Sequence, residues 1–357
     1  MLVFNFFAGL KARGIPVYAA ELEECFGRLG IEHRELRAPA WLARAPAALQ
    51  NVCYVLYEQV VAPLAGRWWR TGLTVYPYNA GSLLDAWSGR AVMVVHDLIP
   101  NRRDSGGLAA RYIRTCQAWH ARLGRPVATV SRHTQRQLRR IERYRRCPLY
   151  LWANPFYAFE TALQRTAAPP SAVPHAPAAP AQPVRVLLCS GMGANKDYRG
   201  ALRLLRQLPG DLPVVLRVLG FGDDAALAER ALAGLPAERR AQARVLPRLT
   251  LDGIVDEFRA ADVVWVHSRA EGFGRPVVEA RMAGRPVVAT DIGAFRPLRR
   301  LGHVHLYKDA DFVAAFQAAL GEARHHQVAA ASAQSFNRQL EAEVMRLLRH
   351  AGRPDPA

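Results

Sequence analysis

The feature that most limits the fold is an alternation of short β-forming runs with stretches long enough for helices. In the first half the runs are "MLVFNFF", "LTVYPYN", "AVMVVHD", "PVATVS" and "PLYLWAN". Runs of this length and composition favour buried strands, and the spacing between them suits crossover helices. We therefore predict an α/β domain with a parallel sheet over residues 1–165.

This pattern stops at "TAAPPSAVPHAPAAPAQP", residues 166–183, which is rich in proline and alanine and carries no charged side chain. Such a composition predicts a semi-rigid linker between domains. The alternation then restarts with "VRVLLCSG", "PVVLRVLG", "ARVLP", "DVVWVHS" and "PVVATD". Residues 184–333 are accordingly predicted to form a second doubly wound α/β domain.

The last segment, residues 334–357, is predicted to be an amphipathic helix that packs back toward the first domain. Its apolar residues recur at helical spacing, at Phe336, Leu340, Val344 and Leu347 or Leu348. Two Rossmann-like domains facing a central cleft are expected to bind ligands at the carboxyl ends of their strands.

The apolar runs of the chain are all too short to span a bilayer, which takes roughly 18 to 20 residues. The start, "MLVFNFFAGLKARG", places its charges after the apolar run, unlike a signal peptide. We therefore expect a cytoplasmic protein or one held peripherally on the inner face of the cytoplasmic membrane.

The formal net charge is +18, and much of it lies in one segment. Residues 90–146 hold 14 arginines against three acidic residues. A solvated arginine-rich surface is one interpretation, and docking on an anionic membrane surface is the other, since each basic residue adds about 1 kcal/mol there. The neighbouring "GRWWRTG", with Trp68 and Trp69, has the composition of a membrane interface, although paired tryptophans also occur in cores. Nucleic-acid binding finds no support, because no recognised module is present.

The segment "EGFGRPVVEARMAGRPVVATDIG", residues 271–293, carries the strongest chemical signal. It follows the run "DVVWVHS", and Pro276 suits the start of a helix after Gly272 and Gly274, which free the backbone. The amides at such a helix start attract phosphate. Glu271 and Glu279 flank this point, where carboxylates would accept hydrogen bonds from sugar hydroxyls. A nucleotide sugar has that layout of ribose, diphosphate and hexose.

The same segment resembles the donor site of retaining glycosyltransferases with the GT-B fold, family 4 in particular. The family's two glutamates are separated by seven residues within a pattern of glycines, prolines and small residues. This chain matches it at Glu271, Gly272, Phe273, Gly274, Pro276, Glu279, Ala280, Ala283, Gly284, Pro286, Val287, Val288, Asp291 and Gly293.

The resemblance implies that Glu271 contacts the donor hexose and Glu279 the ribose, with the backbone of Phe273 and Gly274 near the sugar or diphosphate. "LLCSGMGANKDYRGALRLL" resembles the family's basic region, and Lys196 matches the lysine that neutralises the diphosphate. An ordinary exposed loop lysine is the alternative, but the chain has only three lysines. The arginine that normally precedes this lysine is missing, and either Arg199 or Arg275 is a candidate to replace it.

"RVLGFGDD" resembles the family's glycine turn beside the nucleotide base, which makes Gly220 and Gly222 candidates for close approach. In the first half the resemblance is looser. It makes Gly14 a candidate facing the acceptor, and His96 a candidate to reach the transferred sugar, with Asp97 stabilising its loop. A structural histidine at a strand end is the alternative for His96. Ser131 and Asn154 are expected to line the cleft on the acceptor side.

No metal or cofactor is expected beyond the GDP- or UDP-linked donor substrate. The lone D-x-D, at Asp309 and Asp311, precedes a helical run and is better explained by capping. The family's retaining outcome needs no enzyme nucleophile. An inverting enzyme would need a carboxylate base in the first domain, for which Asp97 is the first candidate and Glu21 and Asp104 are weaker ones.

The sequence therefore predicts a glycosyltransferase that moves a hexose from a nucleotide sugar to a glycan or polyprenyl-diphosphate-linked acceptor in bacterial surface polysaccharide or exopolysaccharide synthesis. GDP-mannose is favoured only by general resemblance to mannosyltransferases. The alternatives are an inverting transferase on the same fold, a nucleotide-sugar epimerase, and a non-catalytic basic binding protein.

Overall fold

The computed structural model describes residues 1–8, 10, 14–101, 106–166, 183–191, 193–222, 225–325 and 328–351. Nearly all of the linker predicted at 166–183 lies outside these residues. The chain divides into two compact units, Met1–Tyr157 with Gln334–Ala357, and Ala158–Ala333. Below, these are called the first and the second unit.

The first unit contains a six-stranded parallel sheet in the order β2-β1-β3-β4-β5-β6. Its strands are β1 (Leu2–Phe4), β2 (Arg34–Leu36), β3 (Thr74–Tyr76), β4 (Ala91–Val95), β5 (Val127–Thr129) and β6 (Leu149–Leu151). Its helices before the second unit are α1 (Ile15–Arg28), α2 (Ala47–Leu56), α3 (Ala62–Trp68), α4 (Leu83–Trp87), α5 (Leu108–Arg122) and α6 (Arg132–Arg139). A π-helical turn, Tyr57–Val61, joins α2 to α3, and 3₁₀ turns occupy Ala40–Arg44, Ile99–Asn101 and Glu142–Tyr144.

The second unit contains another six-stranded parallel sheet, ordered β12-β11-β10-β7-β8-β9. Its strands are β7 (Val184–Cys189), β8 (Val214–Leu219), β9 (Ala243–Val245), β10 (Val263–Val266), β11 (Val287–Thr290) and β12 (Val304–Tyr307). Its helices are α7 (Tyr157–Arg165), α8 (Tyr198–Leu205), α9 (Ala225–Leu232), α10 (Ala237–Ala241), α11 (Leu251–Ala260), α12 (Arg275–Met282) and α13 (Phe312–His325). 3₁₀ turns lie at Ala194–Lys196, Arg296–Leu301 and Asp309–Asp311.

Each sheet has one strand more than the five runs identified in its half of the sequence. The additional strands are β2, with the sequence "REL", and β12, with "VHLY", and both lie at a sheet edge. Both contain polar residues, Arg34 and Glu35 in β2 and His305 in β12, so neither lies in a continuous apolar run.

The segment α7 joins the second unit, although the sequence predicted that the first domain extends to residue 165. The ring of Phe159 packs edge-on against Phe258 of α11, with 5.7 Å between centroids. Arg165 pairs with Asp252 of the same helix, with 3.0 Å between Nη2 and Oδ1. These side-chain contacts explain why the unit boundary lies near Tyr157.

The last helix, α14 (Gln334–Ala351), lies in the first unit. The predicted apolar stripe of Phe336, Leu340, Val344 and Leu347 is buried, which stabilises the helix by about 2 kcal/mol per side chain. Glu343 Oε2 accepts the amide hydrogen of Leu151 at 3.0 Å, and Arg346 Nη2 donates to the carbonyl oxygen of Leu149 at 2.9 Å. These bonds attach α14 to β6. Across the described ranges, no helix combines the length and the apolar character that a bilayer crossing requires.

Candidate functional site

The strand order of the second unit is the one found in dinucleotide-binding Rossmann domains, and the order reverses between β7 and β10. These two strands pair in parallel, with Val186 beside Val263 and Cys189 beside Val266. Loops leaving their carboxyl ends separate and open a crevice, which is where such sheets bind ligands. The loop after β7 carries Lys196, and the loop after β10 carries Glu271.

Lys196 and Glu271 form an ion pair between Nζ and Oε1. The same carboxylate oxygen accepts a hydrogen bond from Ser268 Oγ at 2.9 Å. Both charged side chains are partly exposed, at 26% and 16%. The structure thus brings together the lysine and the glutamate that the sequence assigned to opposite parts of one ligand, 75 residues apart in the chain.

Neighbouring contacts hold the two loops in register. Asn195 Nδ2 donates to the carbonyl oxygen of Ala270 at 3.1 Å, and the amide of Arg269 donates to the carbonyl oxygen of Asn195 at 2.7 Å. Arg269 Nε also donates to Asp197 Oδ2 at 2.7 Å. The backbone of Asp197 is left-handed, with φ of 39°, and its side chain caps α8 by accepting the amide hydrogen of Gly200 at 3.2 Å.

Asp197 and His267 lie next to each other beneath the loops that follow β7 and β10. Burial acts to raise the pKa of Asp197, but the hydrogen bond and charge of Arg269 outweigh it, and the pKa is lowered. Burial also lowers the pKa of His267, against the opposing effect of Asp197. The two side chains approach to 3.5 Å, and His267 Nδ1 lies 2.6 Å from the hydroxyl of Tyr307. His267 is therefore mostly neutral at neutral pH.

The loop "EGFGRP" leads into α12, whose N-cap is Gly274 with φ of 103° and ψ of 54°. That φ favours glycine, and a side chain here would also collide with the ring of Phe295. The helix begins at Arg275, one residue before the predicted Pro276. Phe273 and Gly272 precede it and are buried. Backbone amides at a helix start attract anions. In α12, Pro276 has no N–H and the amide of Val277 donates to the carbonyl oxygen of Gly274 at 3.1 Å.

Arg275 and Glu279 form an i, i+4 ion pair, with 3.2 Å between Nε and Oε1. Arg275 is therefore paired with the glutamate assigned to the ribose. Arg199, the other predicted substitute for the missing arginine, is exposed on the first turn of α8. Sequence reasoning missed Arg269, which lies against Asp197 next to Lys196, because in sequence it sits 73 residues from that lysine.

Gly220 and Gly222, which follow β8, are glycines for different structural reasons. Gly220 has φ of 123°, and any side chain there would overlap the carbonyl of Ser190 at the end of β7. A glycine is therefore required at position 220 because the ends of β7 and β8 approach each other closely there. Gly222 has φ of 55°, again in the left-handed region.

In the first unit, His96 and Asp97 follow β4 directly. His96 Nε2 lies 2.8 Å from the carbonyl oxygen of Pro77, and its ring packs edge-on against Tyr18 at 4.8 Å. Its amide donates to Asn79 Oδ1 at 2.5 Å. Asp97 Oδ1 accepts the amide hydrogen of Ile99 at 2.9 Å, an arrangement that stabilises the loop. His96 is half-buried, and these contacts with Pro77 and Tyr18 hold its ring.

The acceptor-side candidates lie at other strand ends of the same sheet. Ser131 follows β5 and caps α6, its Oγ accepting the amide hydrogen of Thr134 at 3.0 Å. Asn154 follows β6 and is buried. Gly14 is the N-cap of α1, with φ of 81°. Of the weaker base candidates, Glu21 is buried with Oε2 accepting the amide hydrogen of Tyr157 at 2.7 Å, and Asp104 lies outside the described residues.

A polar cluster that the sequence did not reveal lies at the switch point of the first sheet, between β1 and β3. Asn5 follows β1 and receives the Tyr78 hydroxyl on Oδ1 at 2.9 Å. Asn5 Nδ2 donates to Glu35 Oε1 at 2.8 Å and lies 3.4 Å from Glu23 Oε1. Burial, followed by the charge of Glu35, raises the pKa of Glu23 to about 8. The sequence contained one indication of this cluster, namely that Asn5 in "NFF" and Tyr78 in "YPYN" are polar residues near the ends of predicted strands.

Within the described ranges no group of three or more histidine, cysteine or acidic side chains is placed to hold a metal ion. Asp309 and Asp311 lie in a 3₁₀ turn that leads into α13.

Residues 184–324 match the family described as glycosyl transferases group 1. The matched residues all lie in the second unit. Among curated relatives, the D-inositol 3-phosphate glycosyltransferase of Nocardia farcinica is 37% identical over 130 residues, covering 35% of this chain and 29% of that protein. The phosphatidyl-myo-inositol mannosyltransferase of Mycobacterium leprae is 36% identical over 126 residues, 34% of this chain and 32% of that protein. The matches thus span about a third of those relatives' length.

Solved structures resemble the whole chain. Sucrose-phosphate synthase from Thermosynechococcus elongatus aligns with a TM-score of 0.69 at 16% identity, covering 98% of this chain and 99% of that one. HepE of Anabaena, solved with UDP and glucose, aligns with a TM-score of 0.63 at 15% identity over 98% and 99% of the two chains. The likeness confirms the predicted GT-B fold of two Rossmann-like domains.

Proposed function

We propose that this protein is a glycosyltransferase that moves a hexose from a GDP- or UDP-linked sugar to a glycan or polyprenyl-diphosphate-linked acceptor. The observation that carries the proposal is the pairing of Lys196 with Glu271 at the switch point of a group 1 glycosyl transferase domain. Bacterial surface polysaccharide or exopolysaccharide assembly is the proposed setting. GDP-mannose is the favoured donor, in keeping with the mannosyltransferase among the relatives.

Donor binding is proposed to exchange the Lys196–Glu271 ion pair for two ligand contacts. A diphosphate carries more charge than one carboxylate, so it competes effectively for the ammonium group. Glu271, released from the lysine, then accepts hydrogen bonds from hexose hydroxyls while Ser268 still donates to it. Glu279 is assigned to the ribose, and the amides at the start of α12 to the phosphate oxygens.

Transfer requires that charge developing on the departing diphosphate is stabilised. Lys196, with Arg269 beside it, and the α12 amides are proposed to supply this stabilisation without a divalent metal. Retention of anomeric configuration is proposed, with the leaving phosphate assisting the acceptor on the same face. An inverting transfer with Asp97 as base is the alternative, because Asp97 stands at the end of β4 with one oxygen bound to Ile99.

Thermal-shift measurements with GDP, UDP, GDP-mannose and UDP-glucose test the donor proposal. A rise in Tm with at least one nucleotide, retained in EDTA, is expected. Glu279→Ala should lose most of that rise, while Glu238→Ala, on an exposed helix of the same unit, should keep it. Absence of stabilisation by every nucleotide would refute the proposal, and stabilisation by RNA alone would favour a binding protein. NMR of the product anomer then separates retention from inversion.

A further inference from the structure

The helical segment from Ala47 to Trp68 in the first unit exposes an unusual amount of apolar surface. It consists of α2, the π turn and α3, and all ten residues of α2 fall in the described part of the chain, none of them buried. Six large apolar side chains along the segment are 43% to 85% exposed. We call them the apolar ridge: Leu49, Val52, Leu56, Val60, Leu64 and Trp68.

The ridge is one continuous face of the helical segment. Its members are separated by three residues once and by four thereafter, which keeps them in line along a helix. The opposite face packs into the core, where Tyr54 and Tyr57 meet Phe6 at 5.6 and 5.4 Å between centroids. The charged side chains of the segment are Glu58, which is buried, and Arg67. The side chains of the ridge therefore lie outside the core of the first unit.

An arginine-lined pocket lies on the adjacent helix, α5. Its walls include Arg111, Arg114 and Arg122, together with Leu83 and Trp119. The ring of Trp119 stacks on Trp87 of α4 at 6.2 Å, and Trp87 is itself 65% exposed. Leu84 and Leu108 add further exposed apolar surface beside the pocket.

Direct contacts place the pocket helices beside the ridge segment. Gln59 Nε2 donates to the hydroxyl of Tyr112 on α5 at 2.6 Å, and Gln59 Oε1 accepts the amide hydrogen of Leu83 at 2.9 Å. Arg67 of α3 lies 3.8 Å from Asp85 of α4. The ridge, the tryptophans and the arginines therefore belong to adjoining parts of one surface.

We propose that the apolar ridge and the arginine pocket together dock the first unit on an anionic phospholipid bilayer. The ridge would enter the boundary between headgroups and acyl chains, while the arginines bind lipid phosphate. Tryptophan beside arginine is the composition of that boundary. A protein of net charge +18 is complementary in charge to anionic lipid, whereas a second copy of this arginine-lined surface would repel it. The proposal does not rest on the proposed transfer reaction.

Vesicle flotation tests the surface, with vesicles of phosphatidylcholine alone and of phosphatidylcholine with phosphatidylglycerol. The wild-type chain should bind the anionic vesicles, more weakly at high salt. The variant V52E/L56E/L64E should bind at least about tenfold more weakly, and so should R111E/R122E, since each arginine contributes near the surface. All five side chains are at least partly exposed, so the variants should fold.

Control variants carry changes of the same kind in the second unit, one for the ridge and one for the arginines. Leu227→Glu places a carboxylate at another exposed leucine, and R230E/R240E changes the net charge by the same amount on exposed sites of the second unit. Both should bind vesicles like the wild type. Equal vesicle binding by the ridge variant, or no binding by the wild type, would overturn the proposal. A dimer in sedimentation equilibrium that the ridge variant abolishes, without vesicle binding, would assign the ridge to a second copy instead. The rise in Tm caused by nucleotides should be the same in every variant as in the wild type. Failure of the membrane proposal can therefore be distinguished from failure of the donor-site proposal.

Discussion

The two sheets use their switch points differently. In the second unit the loops after β7 and β10 bring together Lys196, Glu271, Asp197 and Arg269, all charged. In the first unit the loops after β1 and β3 bring together Asn5 and Tyr78, beside a Glu23 whose pKa is about 8. The same topological rule thus yields a crevice with two cations, suited to a diphosphate, and a crevice of amide, hydroxyl and carboxyl groups, suited to hydroxyl-rich ligands.

The largest effect is expected from Lys196→Met. Removal of the cation proposed to stabilise the leaving diphosphate should slow nucleotide release from the donor by about 10² to 10³, or about 3 to 4 kcal/mol. Lys308→Met, at an exposed lysine of the same unit, serves as the control. Nucleotide release is measured with GDP-mannose and UDP-glucose. Loss of less than about threefold would mean that the charged crevice does not serve the leaving group.

The second-largest effect is expected on the pH dependence of the unfolding free energy, through the buried carboxyl group of Glu58 in the first unit. Glu58 is fully buried against Tyr54 and Tyr112, and burial raises its pKa to about 7 despite those hydrogen bonds. A raised folded pKa means that the stability contribution is complete below the unfolded pKa of about 4.5 and is lost as the pH rises through 7. The wild type should lose about 3 kcal/mol of unfolding free energy across that window.

Glu58→Gln should remove most of this loss, as measured by urea unfolding at pH 4.5 and pH 8.5. Glu142→Gln, on the surface of the same unit, is the matched control. His120, whose buried ring has a pKa lowered to about 4, acts in the opposite direction but is common to both proteins. Parallel pH profiles for the wild type and Glu58→Gln would show that the carboxyl is charged in the fold.

A smaller effect is expected at Glu279, about 2 kcal/mol. Glu279→Ala removes a charged hydrogen-bond acceptor proposed for the ribose and also removes the Arg275–Glu279 ion pair. Nucleotide affinity, measured by calorimetry, should fall about 30-fold. Glu279→Gln should recover part of it by keeping one acceptor oxygen. An unchanged affinity in Glu279→Ala would contradict the ribose assignment.

Of the twelve strands in the described residues, the sequence predicted ten, because each lies in a short run of mostly apolar, β-forming residues. It missed β2 and β12, where edge exposure allows "REL" and "VHLY". Only the family resemblance assigned Lys196 and Glu271 to one ligand. Their loops are adjacent because β7 pairs with β10, and the sequence alone does not give this pairing. Arg269 and the Asn5 cluster were missed for the same reason, because sheet order decides which strand ends meet.

The smallest effect concerns Tyr78 in the crevice of the first unit. Its hydroxyl donates to Asn5 at 2.9 Å and accepts the amide hydrogen of Phe7 at 3.2 Å. Tyr78→Phe should therefore lower the unfolding free energy by about 1 kcal/mol, since one buried acceptor and one amide lose their partner. Nucleotide affinity should stay at the wild-type value, in contrast to Glu279→Ala. If Tyr78→Phe weakened nucleotide binding as much as Glu279→Ala does, the proposal that the nucleotide binds in the crevice of the second unit would be wrong.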